Sequence, residues 1–360
     1  MIITGGGTGG HIFPGIAVAQ GIKKRFPQSE IMFIGTGRHI DNQALTGRGF
    51  KVVTLKSRGL KGKTILQSLH ALLLLPLSFF SSLRIMRSFD PDLVFGVGGY
   101  VTGPVILAAR LLGVASCIHE QNSIPGIANR ILGRIVNRIY ISIPGSERFF
   151  PPRRTLLTGN PVRTEILEKA LLSPEIPAGE GRTLLVLGGS LGAHRVNLLV
   201  SEAITGMERP SGFTVIHQTG AADEVWVREK YEKHGVSARV AAFFDNMADL
   251  YAEADLIVSR AGATTLAEVT VMGKPSLLIP FPHAADDHQS RNAEYLADGG
   301  AALMEQERNL DGDRLAALVG SLLADRGQRA RMGAQALRLA KRDATASIIN
   351  DCMRLAPAAA

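Results

Sequence analysis

Short apolar runs alternate with longer stretches in which apolar residues recur every three or four positions, along nearly the whole chain. Runs of four or five bounded by glycine, proline or polar clusters predict buried strands, and the stretches between them predict helices. In the first half the strands are expected at 1–4, 31–34, 51–55, 93–96, 115–118 and 138–141; in the second at 183–187, 214–218, 238–241, 256–259, 276–279 and 301–304. Six strands thus fall in each half, each followed by a helical stretch. That rhythm predicts an α/β chain with two doubly wound parallel sheets, not a bundle or a sandwich. At 360 residues the chain can build two separate cores.

Breakers mark the division. Phe149-Phe150-Pro151-Pro152-Arg153-Arg154 is followed by Thr158-Gly159-Asn160-Pro161-Val162-Arg163, and a second breaker-rich stretch covers 173–181. The boundary is expected near Gly159, giving domains at 1–159 and 160–335 and a terminal helical segment at 336–360.

Composition narrows the class. Apolar residues make up 46% and aromatic residues 6%, with 39 glycines, as sheets joined by tight turns require. Cys117 and Cys352 provide neither a disulfide framework nor a metal-ligand spacing, so a reducing compartment is expected. A strand at the very start leaves no room for a targeting segment, which points to the cytosol. The net charge of +8 asks for an anionic partner. No RNA-binding aromatic motif, zinc finger or long basic tail favours nucleic acid, so a phosphorylated substrate or an anionic lipid remains.

The run 60–89 is unlike the rest. Leu72, Leu73 and Leu75 are followed by Pro76 and then Phe79 and Phe80, with Lys61, Lys63, Arg84 and Arg87 on the flanks. A bilayer span needs roughly 20 uninterrupted apolar residues, and Pro76 breaks this run. Either it is a helix buried against the sheet, or it is an apolar patch with basic flanks that dips into an anionic membrane face. Arg130, Arg134 and Arg138 recur at a four-residue spacing that reads as a helical stripe, solvated or lipid-facing.

Glycine turns carry the candidate chemistry. Gly6-Gly7-Thr8-Gly9-Gly10, with His11 next, and Gly188-Gly189-Ser190-Leu191-Gly192 each leave a strand and open a helix. Backbone N–H groups and a helix dipole there suit phosphate oxygens. Gly5, Gly7 and Gly10 also satisfy G-x-G-x-x-G, but a nicotinamide site wants an acid at the end of the second strand. Ile34-Gly35-Thr36-Gly37 has none, and Glu30 lies at the wrong end. Gly96-Val97-Gly98-Gly99-Tyr100 forms a further loop at the same expected sheet edge, as does His119-Glu120-Gln121-Asn122. Two glycine loops on one edge suit a diphosphate, and Asn122 offers both a donor and an acceptor to a sugar. In the second half, Arg260-Ala261-Gly262-Ala263-Thr264-Thr265-Leu266-Ala267-Glu268 reads as turn then helix. Glu268 lies about one turn in, able to accept from two vicinal hydroxyls. Asp286-Asp287 has no further ligand-spaced residue beside it and is expected to cap a helix rather than hold a metal.

Taken in order, the segments GGGTGGHIFP (5–14), GVGGYVTGP (96–104), HEQN (119–122), GNPVR (159–163), GGSLG (188–192) and RAGATTLAE (260–268) resemble the MurG family. These are the peptidoglycan N-acetylglucosaminyltransferases that turn lipid I into lipid II. The resemblance implies a GT-B fold, two Rossmann-like domains facing across a cleft, with a C-terminal helix returning to the first. It implies that Arg163, Ser190, the backbone at Phe244, Ala263, Thr264, Thr265, Leu266, Glu268 and Gln289 hold UDP-N-acetylglucosamine, with Ser190 at the diphosphate, Phe244 at uracil and Glu268 at the ribose. Thr8, Gly9, Gly10 and Asn122 would reach the sugar. Gly7, Gly98, Gly99 and Tyr100 would cradle the acceptor diphosphate, and Leu72, Leu73, Leu75, Phe79 and Phe80 would face the membrane. Asp286-Asp287-His288-Gln289 stands where the family tends to show paired glutamines.

The implied reaction is inverting transfer to the 4-hydroxyl of the muramoyl sugar, on the cytoplasmic face of the cell membrane, with no cofactor. His11 is the candidate base, since a helix N-terminus favours neutral imidazole; its alternative role is to orient the loop. Helix ends and Arg163 can carry the charge of departing UDP, so no metal is expected. Rival expectations are another GT-B enzyme such as a UDP-N-acetylglucosamine 2-epimerase, and a non-catalytic sugar-nucleotide sensor.

Overall fold

The computed structural model of the protein describes residues 1–37, 45, 48–55, 65–172, 182–189 and 192–356, with backbone alone at 65–75. It divides into two compact units, Met1–Arg163 with Asp343–Ala360, and Thr164–Arg342.

The first unit contains β1 (Ile2–Thr4), α1 (Gly9–Arg25), β2 (Met32–Gly35), β3 (Lys51–Thr54), α2 (Ile65–Phe89), β4 (Leu93–Gly96), α3 (Thr102–Leu111), β5 (Ala115–Glu120), α4 (Ile127–Leu132), β6 (Arg138–Ile141) and β7 (Thr155–Leu157). Its seven strands are all parallel in the order β3-β2-β1-β4-β5-β6-β7. Six strands were expected here; β7 is the addition. It is three residues long, follows two prolines, and lies at the sheet edge with Leu156 and Leu157 exposed, so no apolar run announces it. Helix α2 runs unbroken through Pro76.

Successive strand residues point to opposite faces. Ile2, Ile34, Val94, Ile118 and Ile139 pack on one side with Leu83, Met86, Val105 and Ile106 of α2 and α3. Ile3, Phe33, Phe95, Cys117 and Tyr140 pack on the other with Ile12 and Ile16 of α1.

The second unit contains α5 (Thr164–Leu172), β8 (Thr183–Leu187), α6 (His194–Gly206), β9 (Thr214–Gln218), α7 (Glu224–Lys233), β10 (Ala238–Ala241), α8 (Met247–Glu253), β11 (Leu256–Ser259), α9 (Ala263–Val271), β12 (Ser276–Leu278), α10 (His288–Asp298), β13 (Ala302–Met304), α11 (Gly312–Ala324) and α12 (Arg326–Leu339). Its six parallel strands follow the order β10-β9-β8-β11-β12-β13. Chain order reverses between β1 and β4 in one sheet and between β8 and β11 in the other. Such switch points open a crevice at the carboxyl ends of the strands, and the crevice is where open α/β sheets bind ligands.

The chain then returns to the first unit as α13 (Ala344–Leu355). It buries Ile348, Ile349 and Cys352 in the same core as α1, each worth about 1.5–3 kcal/mol if an aliphatic side chain is fully buried. Glycine at position 21 allows this approach, since a Cβ there would stand 2.7 Å from Ile349 Cδ1. Arg138 Nε and Tyr140 Oη both donate to Asp351 Oδ2, at 2.7 and 3.0 Å, and hold the helix in register.

Candidate functional site

In the first unit two loops leave the switch point together. Val97 N donates to Thr4 O at 2.8 Å and Thr102 Oγ1 to Thr4 O at 3.3 Å, which ties the exit of β4 to that of β1. Gly6, Gly7, Gly98 and Gly99 have φ of +139°, +91°, +99° and +89°, conformations closed to most side chains. A Cβ on Gly99 would stand 2.8 Å from Gly6 O, so the loops meet backbone to backbone. Thr8 occupies the N-cap position of α1, and the first turn, with Gly9, Gly10 and His11, contains no acid. The positive end of the dipole there is uncompensated by a carboxylate of its own helix. Tyr100 lies exposed beyond the second loop.

His11 is half-buried, its Nδ1 3.2 Å from Gln121 Oε1. Gln121 belongs to the loop after β5, which Glu120 shapes. Its buried carboxylate accepts from Asn122 N at 3.0 Å, Asn122 Nδ2 at 3.3 Å, Gly126 N at 3.3 Å and Asn129 Nδ2 at 2.8 Å. Four donors on one carboxylate fix the backbone that carries Asn122. Arg163 ends the first stretch of this unit and is buried, with its guanidinium 4.6 Å from the Phe13 ring centroid.

In the second unit, Ser190 lies outside the described residues. Around it, Gly192 (φ +78°) is pressed against the exit of β9, where a Cβ would meet Thr219 O at 2.5 Å. Gln218 bridges this edge, donating weakly to Gly189 O at 3.5 Å and accepting the Phe244 N–H at 3.1 Å. The Phe244 amide expected to face uracil is therefore already engaged, and pairing with the base through it requires Gln218 to yield. In α9, Ala263, Thr264, Leu266 and Glu268 are buried and Thr265 is half-buried. Tyr251 Oη donates to Glu268 Oε2 at 2.9 Å.

Gln289 Oε1 accepts from Ala261 N at 3.2 Å and Phe281 N at 3.0 Å, joining the loops after β11 and β12. Arg260 lies beneath, its Nη1 donating to Ile279 O and Pro280 O and its Nη2 paired with Glu307; burial alone pushes its pKa down. Asp286 and Asp287 both have φ near +54°, a strained pair just before Gln289. Asp287 stands at the N-cap position of α10 and accepts from Ser290 Oγ at 2.6 Å, not from a backbone N–H. Among the described residues no group of three His, Cys, Asp or Glu is placed to hold a metal ion.

The side chains of Leu72, Leu73 and Leu75 lie outside the described residues. Phe79 packs against the first unit's core, whereas Leu77 and Phe80 stand 63% and 65% exposed. Leu107, Leu111, Ile127 and Ile131, on α3 and α4, are exposed as well. The arginine stripe is not one helix face, because α4 ends at Leu132 and Arg138 opens β6, paired with Asp351. Arg130 instead stacks 4.7 Å from the Phe149 centroid. Among the described residues no helix is long and apolar enough to cross a membrane.

The model of the glycosyltransferase family 28 N-terminal domain matches residues 1–141, and that of the C-terminal domain matches residues 183–348. A UDP-N-acetylglucosamine–N-acetylmuramyl-(pentapeptide) pyrophosphoryl-undecaprenol N-acetylglucosamine transferase of Desulfotalea psychrophila is 47% identical over 99% of this chain and 96% of its own. The protein of the same name from Geobacter metallireducens is 45% identical over 98% of each chain. The crystal structure of Acinetobacter baumannii MurG is 31% identical, with a TM-score of 0.77 over 98% of this chain and 99% of that one.

The chain belongs to the MurG family.

It has the GT-B fold, built from two Rossmann-like units. A UDP-N-acetylglucosamine 2-epimerase from Listeria monocytogenes, 13% identical with a TM-score of 0.69, shares that fold alone. Two partners of the MurG motifs escape sequence reasoning. Tyr251 stands 17 positions from Glu268 and meets it only once α8 and α9 are packed. Gln121 stands inside HEQN, yet nothing in that tetrapeptide says that its amide faces His11.

Proposed function

We propose that this chain transfers N-acetylglucosamine from UDP-N-acetylglucosamine to the 4-hydroxyl of the muramoyl sugar of lipid I, with inversion, giving lipid II. The observation that carries this is 47% identity over 99% of the chain to an enzyme named for that transfer.

In the second unit, Ala263, Thr264, Thr265, Leu266 and Glu268 bind the nucleoside, with Glu268 accepting from the ribose hydroxyls and the chain at Phe244 meeting uracil. Ser190 and the start of α6 take the diphosphate, and Gln289 sets the adjoining loop. In the first unit, Thr8, Gly9, Gly10 and Asn122 contact the sugar, and Gly7, Gly98, Gly99 and Tyr100 receive the acceptor diphosphate. The glycine loops support these roles because their backbones are shaped for close approach by an anion.

One displacement suffices. The acceptor oxygen bonds to C1 of N-acetylglucosamine while its proton passes to His11 Nε2, and the bond from C1 to the diphosphate oxygen breaks. The electron pair leaves on UDP, whose charge the N-terminus of α6 and Arg163 stabilise. No cofactor takes part in these steps.

Lipid I anchors the reaction at the cytoplasmic face of the cell membrane, where nucleotide sugar is available. Leu77 and Phe80, with Leu107, Leu111, Ile127 and Ile131, supply exposed apolar area, and Arg84, Arg87 and Arg130 supply positive charge toward an anionic lipid surface.

The test is release of UDP from UDP-N-acetylglucosamine with and without a lipid I analogue. Release that requires the acceptor is expected. Consumption of donor without acceptor would point to epimerase-like chemistry, and binding without release to a sensor.

A further inference from the structure

His11 and Gln121 belong to a chain of side chains that the reaction above leaves unexplained. Gln121 Nε2 lies 2.9 Å from Val97 O and 3.1 Å from His119 Nδ1, and Gln121 Oε1 lies 3.2 Å from His11 Nδ1. His119 is fully buried, with its Nε2 3.2 Å from Gly159 O and 3.1 Å from Ser142 Oγ.

These partners leave little freedom in where the protons sit. Gly159 O and Val97 O are carbonyls and can only accept. Gly159 O also accepts from Thr158 Oγ1 at 3.1 Å, but a carbonyl 3.2 Å from Nε2 must meet a proton there and not a second lone pair, so His119 carries its proton on Nε2. Ser142 Oγ donates its own hydrogen to Glu120 O at 3.1 Å, so toward His119 it accepts. Burial holds the His119 pKa down at about 4, so the ring is neutral near pH 7 and its Nδ1 bears a lone pair. That lone pair accepts from Gln121 Nε2, as Val97 O does. With His119 O also 3.4 Å away, three acceptors around the amide nitrogen fix the Gln121 flip, and Oε1 must face His11. An amide oxygen accepts, so His11 donates from Nδ1.

We propose that Gln121 is a positioning residue that holds His11 in its Nδ1–H tautomer, leaving the Nε2 lone pair to take the proton of the acceptor hydroxyl. This rests on His11 being the base. His119, with Gly159 and Ser142 behind it, is the anchor that keeps Gln121 from flipping. An imidazole without such a partner favours Nε2–H, the form unable to accept at Nε2.

The experiment uses the full chain labelled with 15N-histidine and long-range 1H–15N correlation, which distinguishes protonated from lone-pair ring nitrogens. The chain has nine histidines, and the His11 signals are identified by their loss in His11→Ala. In the wild type, His11 should be protonated at Nδ1 and His119 at Nε2. In Gln121→Leu, His11 should shift toward Nε2–H and kcat should fall about 10- to 100-fold, with the KM for UDP-N-acetylglucosamine unchanged within twofold. Gln121→Glu keeps the oxygen that accepts from His11 Nδ1–H, and its other carboxyl oxygen, protonated, donates to Val97 O in place of Nε2; this variant should retain the wild-type His11 tautomer.

A wild-type His11 protonated at Nε2 overturns the proposal without recourse to any variant. A Gln121→Leu enzyme with unchanged tautomer and kcat overturns it too. If His11→Ala is crippled beside such an unaffected Gln121→Leu enzyme, the positioning role alone fails. If His11→Ala stays within tenfold of wild type, the base assignment fails first and the tautomer has no catalytic use.

Discussion

Gly98 lies directly against His11: a Cβ at Gly98 would stand 2.9 Å from His11 Nδ1 and 3.0 Å from its Cε1. Its φ of +99° already excludes most side chains, so the position is constrained by backbone and neighbour alike. Gly98→Ala should cost about 1–3 kcal/mol of strain and push the imidazole from its place against Gln121. Turnover should drop about 10- to 100-fold, because small misplacements of a catalytic group are costly. Calorimetric titration with UDP should show nucleotide affinity unchanged, since the residues proposed to bind uridine belong to the second unit.

His11→Ala removes the proposed base outright. Turnover should fall about 10²–10⁴-fold with the donor KM preserved, as measured by steady-state UDP release with a lipid I analogue. A loss below tenfold would leave His11 as an organiser of the loop.

Tyr251→Phe deletes one buried donor to Glu268 while keeping the ring that fills the core. Losing a hydrogen bond of about 1 kcal/mol leaves the carboxylate less well held and should raise the donor KM about fivefold, with kcat little changed. An unaltered KM would mean that Glu268 reaches the ribose without help from Tyr251, or does not reach it.

Acid should destabilise the chain through its buried histidines. Burial lowers the pKa of His119 to about 4 and of His217 to about 3, against 6.5 in the open chain. Above pH 6.5 both states are neutral and nothing changes. Below it the unfolded chain takes up protons that the folded chain refuses, so stability falls as pH drops toward 4 and 3. The slope approaches about 1.4 kcal/mol per pH unit for each histidine. Melting temperatures from pH 7.5 to 5 should trace this fall. His217→Gln, whose amide can still serve Asn197 Oδ1 and Tyr231 Oη, should flatten the slope.

Phe80→Glu with Leu77→Glu replaces exposed apolar surface by negative charge. Co-sedimentation with vesicles containing anionic phospholipid should weaken at least tenfold, while UDP release with a water-soluble acceptor analogue should be unchanged. Unchanged sedimentation would remove this end of α2 from the membrane contact.

Much of the fold was legible in the chain because parallel strands buried on both faces are nearly continuous apolar runs. β8, β9 and β11 stand where 183–187, 214–218 and 256–259 announced them. β7 was not, since an exposed edge strand of three residues needs no such run. Arg130, Arg134 and Arg138 show the opposite failure, a helical spacing that straddles the end of one helix and the start of a strand.

The glycine turns, HEQN and the Ala263–Val271 helix were visible in one dimension because strand-to-helix turns of this kind need glycine and small residues at fixed offsets. Local covalent and steric rules suffice for that. Which side chains those loops meet was decided only by folding. Gly98 against His11, Gln121 against His11, Tyr251 on Glu268 and α13 over Gly21 all join segments distant in the chain. A hydrogen bond or a close contact across such a distance depends on packing geometry, and packing leaves no periodic trace in the order of residues.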